Sequence, residues 1–518
     1  MTARSALALV ASCCAVPAVF AAGDPAAWVP ARWSGGPLEV ARRAQDKALA
    51  EDAALRQAIA RWYEPATLKL LEGTPVNCLL LTLGAEAGQD LAARQYQIVK
   101  EYAGAAHERG HAVLGIVYPG ADASAVAAAA AEARLEGLVL QGEFPAGAGF
   151  IPKLQAALRA RKSPALVIPI AASASAVRTE EAALLAVEGA QPNVRNLSDM
   201  GIRAGASAEP WIESNIWLVR SFRLGPAWRP IWVSHEPAAG AEQDYTRAVA
   251  DAAVAGGRWI VAIADGLRAP LLRGEAAALD TWRAAAGYLR FAEDHAEWRR
   301  FTPYGNLAII LDTAAAVPEV PDEYLNLVAR RQVPYRLLTR SELSPRALAG
   351  YQAVLAADLA PPTAGERKIL LDFAERGGLV VMGPSWGGAP KDEPYVEIPA
   401  GKGRVAVYKE DPPDPESVAR EMLELLAPQV MGLNVFNLPS GITYVSSADS
   451  GRRVLVGLLN YAATPANRVT IRMHGAFSGA HLYTPENAPL SLAARSTRNG
   501  ATEVLIPRLS GWGAVLFE

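Results

Sequence analysis

The sequence predicts an α/β protein: a (β/α)8 TIM-like barrel followed by a flavodoxin-like α/β domain and a small antiparallel β-sandwich. Three observations carry this. From Val76 onward, apolar runs of strand length alternate with Ala-rich helical stretches, the pattern of a parallel sheet covered on both faces. A second, shorter series of the same kind starts near Leu307. Beyond Asn434, helical periodicity gives way to alternation and turn residues. At 518 residues the chain exceeds what one core can serve and divides into about three domains. The expected division is a leader over 1–22, the barrel over 23–302, the flavodoxin-like unit over 303–430 and the sandwich over 431–518.

Taken in order, the chain begins with Arg4 ahead of an apolar segment, Ala6 to Phe20, and the small residues Ala21, Ala22 and Gly23. That is the layout of a secretory signal, so the protein is expected to be secreted or periplasmic. The alternative is a lipoprotein: Val10, Ala11, Ser12 and Cys13 resemble a lipobox, with Cys13 as the lipidated residue. Cys13 and Cys14 belong to this leader, which leaves Cys78 alone and an intrachain disulfide impossible after cleavage. Past the leader no apolar run of about eighteen residues could span a bilayer. With 53 acidic and 50 basic residues the chain lacks the electrostatic footprint of a nucleic-acid partner.

A lead-in from Trp28 to Pro37 precedes Leu38 to Tyr63, which has no internal Gly or Pro and is expected to be one helix. Strands follow at Val76 to Leu83, Ala112 to Tyr118, Gly137 to Gln141 and Ala165 to Ile170. Helices lie between them at Gly88 to Glu108, Ala123 to Arg134 and Phe150 to Arg161. Further strands are expected at Ala183 to Val187, Ile231 to Val233 and Trp259 to Ala264, with another around Ile216 to Val219. Seven or eight such strands favour a closed barrel over an open sheet. No G-x-G-x-x-G follows the first of them, which removes the main support for dinucleotide binding. The helix Leu279 to Arg299 closes the barrel.

The second series has strands at Leu307 to Leu311, Tyr335 to Leu338, Ala353 to Ala356 and Leu379 to Met382. Its helices are Asp322 to Arg331 and Gly365 to Arg376, and a hairpin surrounds Gly401, Lys402 and Gly403. Six short strands complete the chain, at Ile442 to Ser446, Val454 to Leu459, Val469 to Met473, His481 to Tyr483, Glu503 to Ile506 and Ala514 to Phe517. Barrel, flavodoxin-like domain and β-sandwich in this order resemble the glycoside hydrolases of the β-galactosidase family that carry a trimerisation domain. Local pieces are similar too: the helix Trp282 to Trp298 passing into Asn306 to Asp312, the Gly377, Gly378 turn, and the terminal Gly511 to Glu518 strand. The resemblance implies a carbohydrate substrate and leaves a homo-oligomer open. One departure is plain. The acid/base of that family lies in an Asn-Glu dipeptide closing strand four, whereas Pro164 to Ala171 ends in small apolar residues and the chain contains no Asn-Glu. No catalytic residue is carried over from it.

The residues themselves supply candidates. Glycoside hydrolysis needs two carboxylates, one protonated and one ionised, and barrel enzymes place such groups at strand ends. Glu236 follows the run Ile231 to Val233 and precedes Pro237, and Glu188 follows Leu184 to Val187. This pair is the expected catalytic pair; the alternative is that one or both only bind hydroxyls or pair with Arg195, Arg203 or Arg220. Glu143 and Asp265 close other strands and are expected to bind substrate, as is His235. Seven of twelve tryptophans fall between Trp211 and Trp298. Trp211, Trp217 and Trp228 suit sugar stacking, with Glu213 and Asn215 beside Trp211 as hydroxyl partners. Trp232, Trp259, Trp282 and Trp298 read as core.

Neither cofactor nor metal is called for. His107, Glu108, Arg109, Gly110 and His111 spell the H-E-x-x-H zinc signature, but Gly110 reads as a helix cap, so the two imidazoles should diverge. The flavodoxin-like unit has no cysteine for an amidotransferase nucleophile, and the G-x-S-x-G at Ser385 carries Pro384 at its turn. The expected function is a secreted glycoside hydrolase acting on an oligo- or polysaccharide. The alternative is a non-catalytic carbohydrate-binding barrel.

Overall fold

A computed structural model describes residues 23–144, 149–171, 182–195, 211–224, 228–237, 244–312, 319–357, 359–410, 413–426 and 431–518. The leader with Cys13, the segment from Gly205 to Pro210 and the side chain of Trp211 lie outside the described residues.

Eight parallel staves close a barrel: β1 (Pro30–Arg32), β2 (Cys78–Gly84), β3 (Ala112–Val117), β4 (Gly137–Leu140), β5 (Leu166–Ala171), β6 (Leu185–Glu188), β7 (Ile231–Ser234) and β8. The last is in two pieces, Arg258–Trp259 and Val261–Ala262, on either side of Ile260. Its first piece pairs with β7 and its second with β1, which completes the ring. The barrel interior is apolar low down, where Leu80, Ile116, Val139, Ala186, Trp232 and Ile260 pack together. Because alternate residues of a strand share a face, the residues two further along extend that interior toward the C-terminal mouth. There the face turns polar: Thr82, Tyr118, Gln141, Glu188 and Ser234.

Two expectations fail in this region. Leu38 to Tyr63 is not one helix but three, α1 (Gly36–Arg42), α2 (Lys47–Glu51) and α3 (Ala53–Ala60). Asp46 and Asp52 restart the chain by accepting hydrogen bonds from Ala48 N at 3.1 Å and Leu55 N at 2.9 Å, as N-cap residues do. The lead-in also contains β1, whose three residues are too few to show a period. The helices α4 (Gln89–His107), α5 (Ala123–Glu132) and α6 (Phe150–Ala160) fall where the sequence placed them. Gly110, at φ +79°, ends α4 so that His111 leads into β3, and the two histidines do not share a helix.

The apolar run at Ile216 to Val219, expected as a strand, is helix α7 (Ile216–Phe222). It is buried almost throughout, which is why its apolar residues do not alternate. Beyond β7 come α8 (Tyr245–Val254), α9 (Asp265–Arg273) and α10 (Ala276–Asp294).

The second unit is a parallel sheet in the order Tyr335–Thr339, Leu307–Leu311, Ala353–Ala356, Leu379–Met382, Gly403–Tyr408, with Tyr395–Ala400 added antiparallel at the edge. Numbered along the chain its parallel strands run 2-1-3-4-5, the flavodoxin-like order. Helices α11 (Glu319–Arg330), α12 (Ala364–Glu375) and α13 (Pro415–Leu425) cover it. The C-terminal unit is a sandwich of a six-stranded and a four-stranded antiparallel sheet around Val456, Ile471, Val504 and Phe517. Its larger sheet also takes in Thr302–Pro303 and Asn487–Leu492.

Candidate active site

Helix α1 lies across the barrel mouth. It can do so because Gly36 takes φ +83°, where a Cβ would come within 2.5 Å of the Gln95 amide oxygen. Fully buried Gln95 accepts from Leu38 N at 3.1 Å and donates to the Gly35 and Thr82 carbonyls at 3.1 and 2.6 Å. This clamp turns Glu39 and Arg42, three residues apart and so on one helix face, down toward the strand ends.

Below α1, Arg32 joins the two candidate carboxylates. Its Nη2 donates to Gln141 Oε1 at 2.6 Å and to Ser234 Oγ at 2.8 Å, and Gln141 Nε2 donates to Glu188 Oε2 at 3.2 Å. On the other side Arg32 Nη1 stands 3.2 Å from Glu236 Oε2, close enough for an ion pair but off the hydrogen-bond line. Arg42 Nη2 donates to Glu236 Oε1 at 2.7 Å and to Glu39 Oε1 at 2.7 Å, and its guanidinium lies 4.0 Å above the Tyr118 ring. Buried Glu39 also accepts from Thr82 Oγ1 at 2.8 Å.

These surroundings push the two carboxylates in opposite directions. Burial raises Glu188 above its ordinary value of 4.5, and the Gln141 hydrogen bond and the Arg32 charge offset this only in part. Burial would raise Glu236 as well, but Arg32 and Arg42 outweigh it and hold the carboxylate below 4.5. Since Glu188 pairs with Ser234 in the β6–β7 register and Glu236 lies two residues past Ser234, the two groups come from neighbouring strand ends.

The other candidates divide. Asp265 opens α9 and accepts from Arg43 Nη1 and Nη2 at 2.9 and 2.6 Å, on the wall of a cleft of about 280 Å³ that Glu236 also lines. His235 is half-buried, with Nδ1 3.2 Å from the Gly189 carbonyl. Glu143 is exposed beyond β4. Glu213 ends a short strand, Trp211–Glu213, that pairs antiparallel with Asn193–Arg195. The amide of buried Asn215 is engaged within the protein, with both Ala190 backbone groups at 2.9 Å and Asp251 Oδ2 at 3.0 Å. Among the proposed stacking platforms, Trp217 packs on the core, and Trp228 precedes the N-terminal end of β7, on the side of the barrel away from the mouth.

Sequence reasoning missed Arg32, Glu39, Arg42 and Gln141. For Gln141 a signal existed, a polar residue closing an apolar strand run. For the others none did, because each acts through contacts remote in sequence.

The chain thus builds a closed (β/α)8 barrel followed by a flavodoxin-like unit and a β-sandwich. Among solved structures it is similar to α-L-fucosidase isoenzyme 2 from Paenibacillus thiaminolyticus, with a TM-score of 0.60 and 12% identity over 88% of this chain and 95% of that one. An exo-β-1,4-mannosidase from Opitutaceae bacterium strain TAV5 matches at a TM-score of 0.41 and 12% identity over 93% and 92%. A β-galactosidase from Bacillus circulans sp. alkalophilus matches at 0.36 and 10% identity over 83% and 68%. Only the first score is high enough to speak for a common fold, and at such identity the likeness is one of fold. No protein-family model matches the sequence, and no curated protein is similar to it.

Proposed function

We propose that the protein is a secreted glycoside hydrolase acting on an oligo- or polysaccharide, with Glu188 as general acid and Glu236 as the ionised nucleophile or base. The observation that carries this is the unlike surroundings of two carboxylates at adjacent strand ends, one beside the neutral amide of Gln141 and pushed up by burial, the other held down by the guanidinium groups of Arg32 and Arg42. Pairs whose environments separate their proton affinities are how one site holds both an acid and a base. Asp265 and His235 at the rim contribute to holding the sugar, and Trp211, Glu213 and Glu143 are assigned to further units of the glycan. The leader at Ala6 to Phe20 supports export, and among the described residues no helix is long and apolar enough to cross a membrane.

The test is a panel of aryl glycosides, α-L-fucosides and β-D-galactosides included, each with a good and a poor leaving group. Glu188→Gln should lose about 10²- to 10⁴-fold in kcat/KM on the poor leaving group and little on the good one, because only the former needs protonation. Glu236→Gln should lose activity on both. Equal activity of Glu236→Gln and wild type removes Glu236 from the chemistry. Binding of sugars without hydrolysis of any glycoside leaves a carbohydrate-binding barrel.

A further inference from the structure

The cleft beside Glu236 is lined by four guanidinium groups and four carboxylates, but they are not evenly paired. Arg42 and Arg43 each bond two carboxylates: Glu39 and Glu236 for the first, Asp46 and Asp265 for the second. Arg32 and Arg268 hold no hydrogen bond to any carboxylate among the described residues, although Arg32 Nη1 stands 3.2 Å from Glu236 Oε2. Arg268 donates from Nη1 to the Ser34 carbonyl at 2.7 Å, while its Nε stands 3.8 Å from Asp265. Both side chains are more than nine-tenths buried. Arg32 Nε and Nη1, Arg268 Nε and the equally buried Ser34 hydroxyl have no hydrogen-bond partner.

Buried polar atoms are normally satisfied, and a buried charged donor without an acceptor is costly. Guanidinium nitrogens can only donate, so the group that completes this wall must be an acceptor. It also has charge to offset: burial holds Arg268 below its ordinary value, and Glu39 and Asp265 compensate only in part. A planar or tetrahedral oxyanion meets both needs, since its oxygens accept from fork-shaped donors and its charge stands against the Arg268 guanidinium. We propose that the sugar bound in this cleft carries an oxyanion substituent, a uronic carboxylate or a sulfate ester, held by Arg32 and Arg268. This rests on the hydrolase reading for what happens next, but not for the binding itself.

The experiment is calorimetric titration of the wild-type protein with neutral monosaccharides, their uronic acids and their sulfate esters, and with inorganic sulfate alone. The charged sugars should bind at least about tenfold tighter than the neutral ones, and whichever charged series wins identifies the oxyanion. Arg268→Met, with its fold checked by thermal unfolding, should bring charged and neutral sugars level, and Arg268→Lys should keep part of the preference. Neutral sugars binding as tightly as charged ones would overturn the proposal, as would sulfate alone binding as well as any sugar, or no sugar binding at all. Charged-sugar binding without turnover of any glycoside would sink the hydrolase reading and leave this one standing. Turnover confined to neutral glycosides would do the opposite.

Discussion

Arg32 is the residue through which the two halves of the candidate site sense each other. It reaches Glu188 through Gln141 and stands directly against Glu236. With one carboxyl raised above 4.5 and the other held below it, the pH dependence has a definite sign. Below 4.5 activity falls as Glu236 takes up a proton, and above 4.5 it falls as Glu188 gives one up. We expect a bell-shaped kcat/KM profile whose two limbs lie on opposite sides of 4.5. In Glu188→Gln, assayed on a good leaving group, the upper limb should vanish while the lower one stays. An alkaline limb falling at or below 4.5 would contradict the raised carboxyl of Glu188. The two glutamates were legible in the sequence because each closes an apolar strand run. Arg32 was not, since its strand has three residues and its partners lie just past β4, on β7 and in the turn after β7.

Among the elements, β8 is tied to α10 by charge. Arg258, at its start, makes two bonds of 3.0 Å to Glu293 near the end of α10, and Arg299 makes two more at 2.6 and 2.9 Å. Burial works against the Glu293 carboxylate, but the two guanidinium groups draw it down from 4.5 to about 2. A lowered carboxyl stabilises the fold above its unfolded value of 4.5, and that contribution fades as pH falls through about 2. Glu293→Gln leaves two buried arginines facing one another, so it should cost about 3–5 kcal/mol in denaturant unfolding at neutral pH. The deficit should shrink between pH 4.5 and 2; a constant deficit would show that the charge is not its source. Sequence periodicity served this scale unevenly. Leu307–Leu311, Ala353–Ala356 and Leu379–Met382 fall where expected, as continuous apolar runs in a sheet covered on both faces. Helix α7 did not, because a segment buried on both sides shows no helical period, and Ile216 to Val219 reads equally well as a central strand.

For the whole molecule, α7 is where the three units meet. Arg220 lies 3.5 Å from the Tyr335 ring of the flavodoxin-like sheet and 5.2 Å from the Tyr444 ring of the sandwich. Just before it, Ser214 and Asn215 bond the fully buried Asp251, which also accepts from the Tyr461 hydroxyl of the sandwich. Asn215 in turn holds Ala190, two residues past Glu188. The sandwich therefore braces the loop behind the proposed acid. Tyr461→Phe should lower stability by about 1–3 kcal/mol, since it strips a buried carboxyl of one donor, and should reduce kcat in kinetic assays. Unchanged values of both would mean that the sandwich is only docked against the barrel. The closure of the barrel has a consequence in time as well. Ala31 stands between Leu79 on one side and Val261 on the other, so the stave bearing Arg32 leaves the ribosome early and waits for nearly the whole barrel before its second neighbour exists. A nascent chain stopped short of Val261 would hold helices but no assembled site, and in refolding the return of function should trail the return of helical signal.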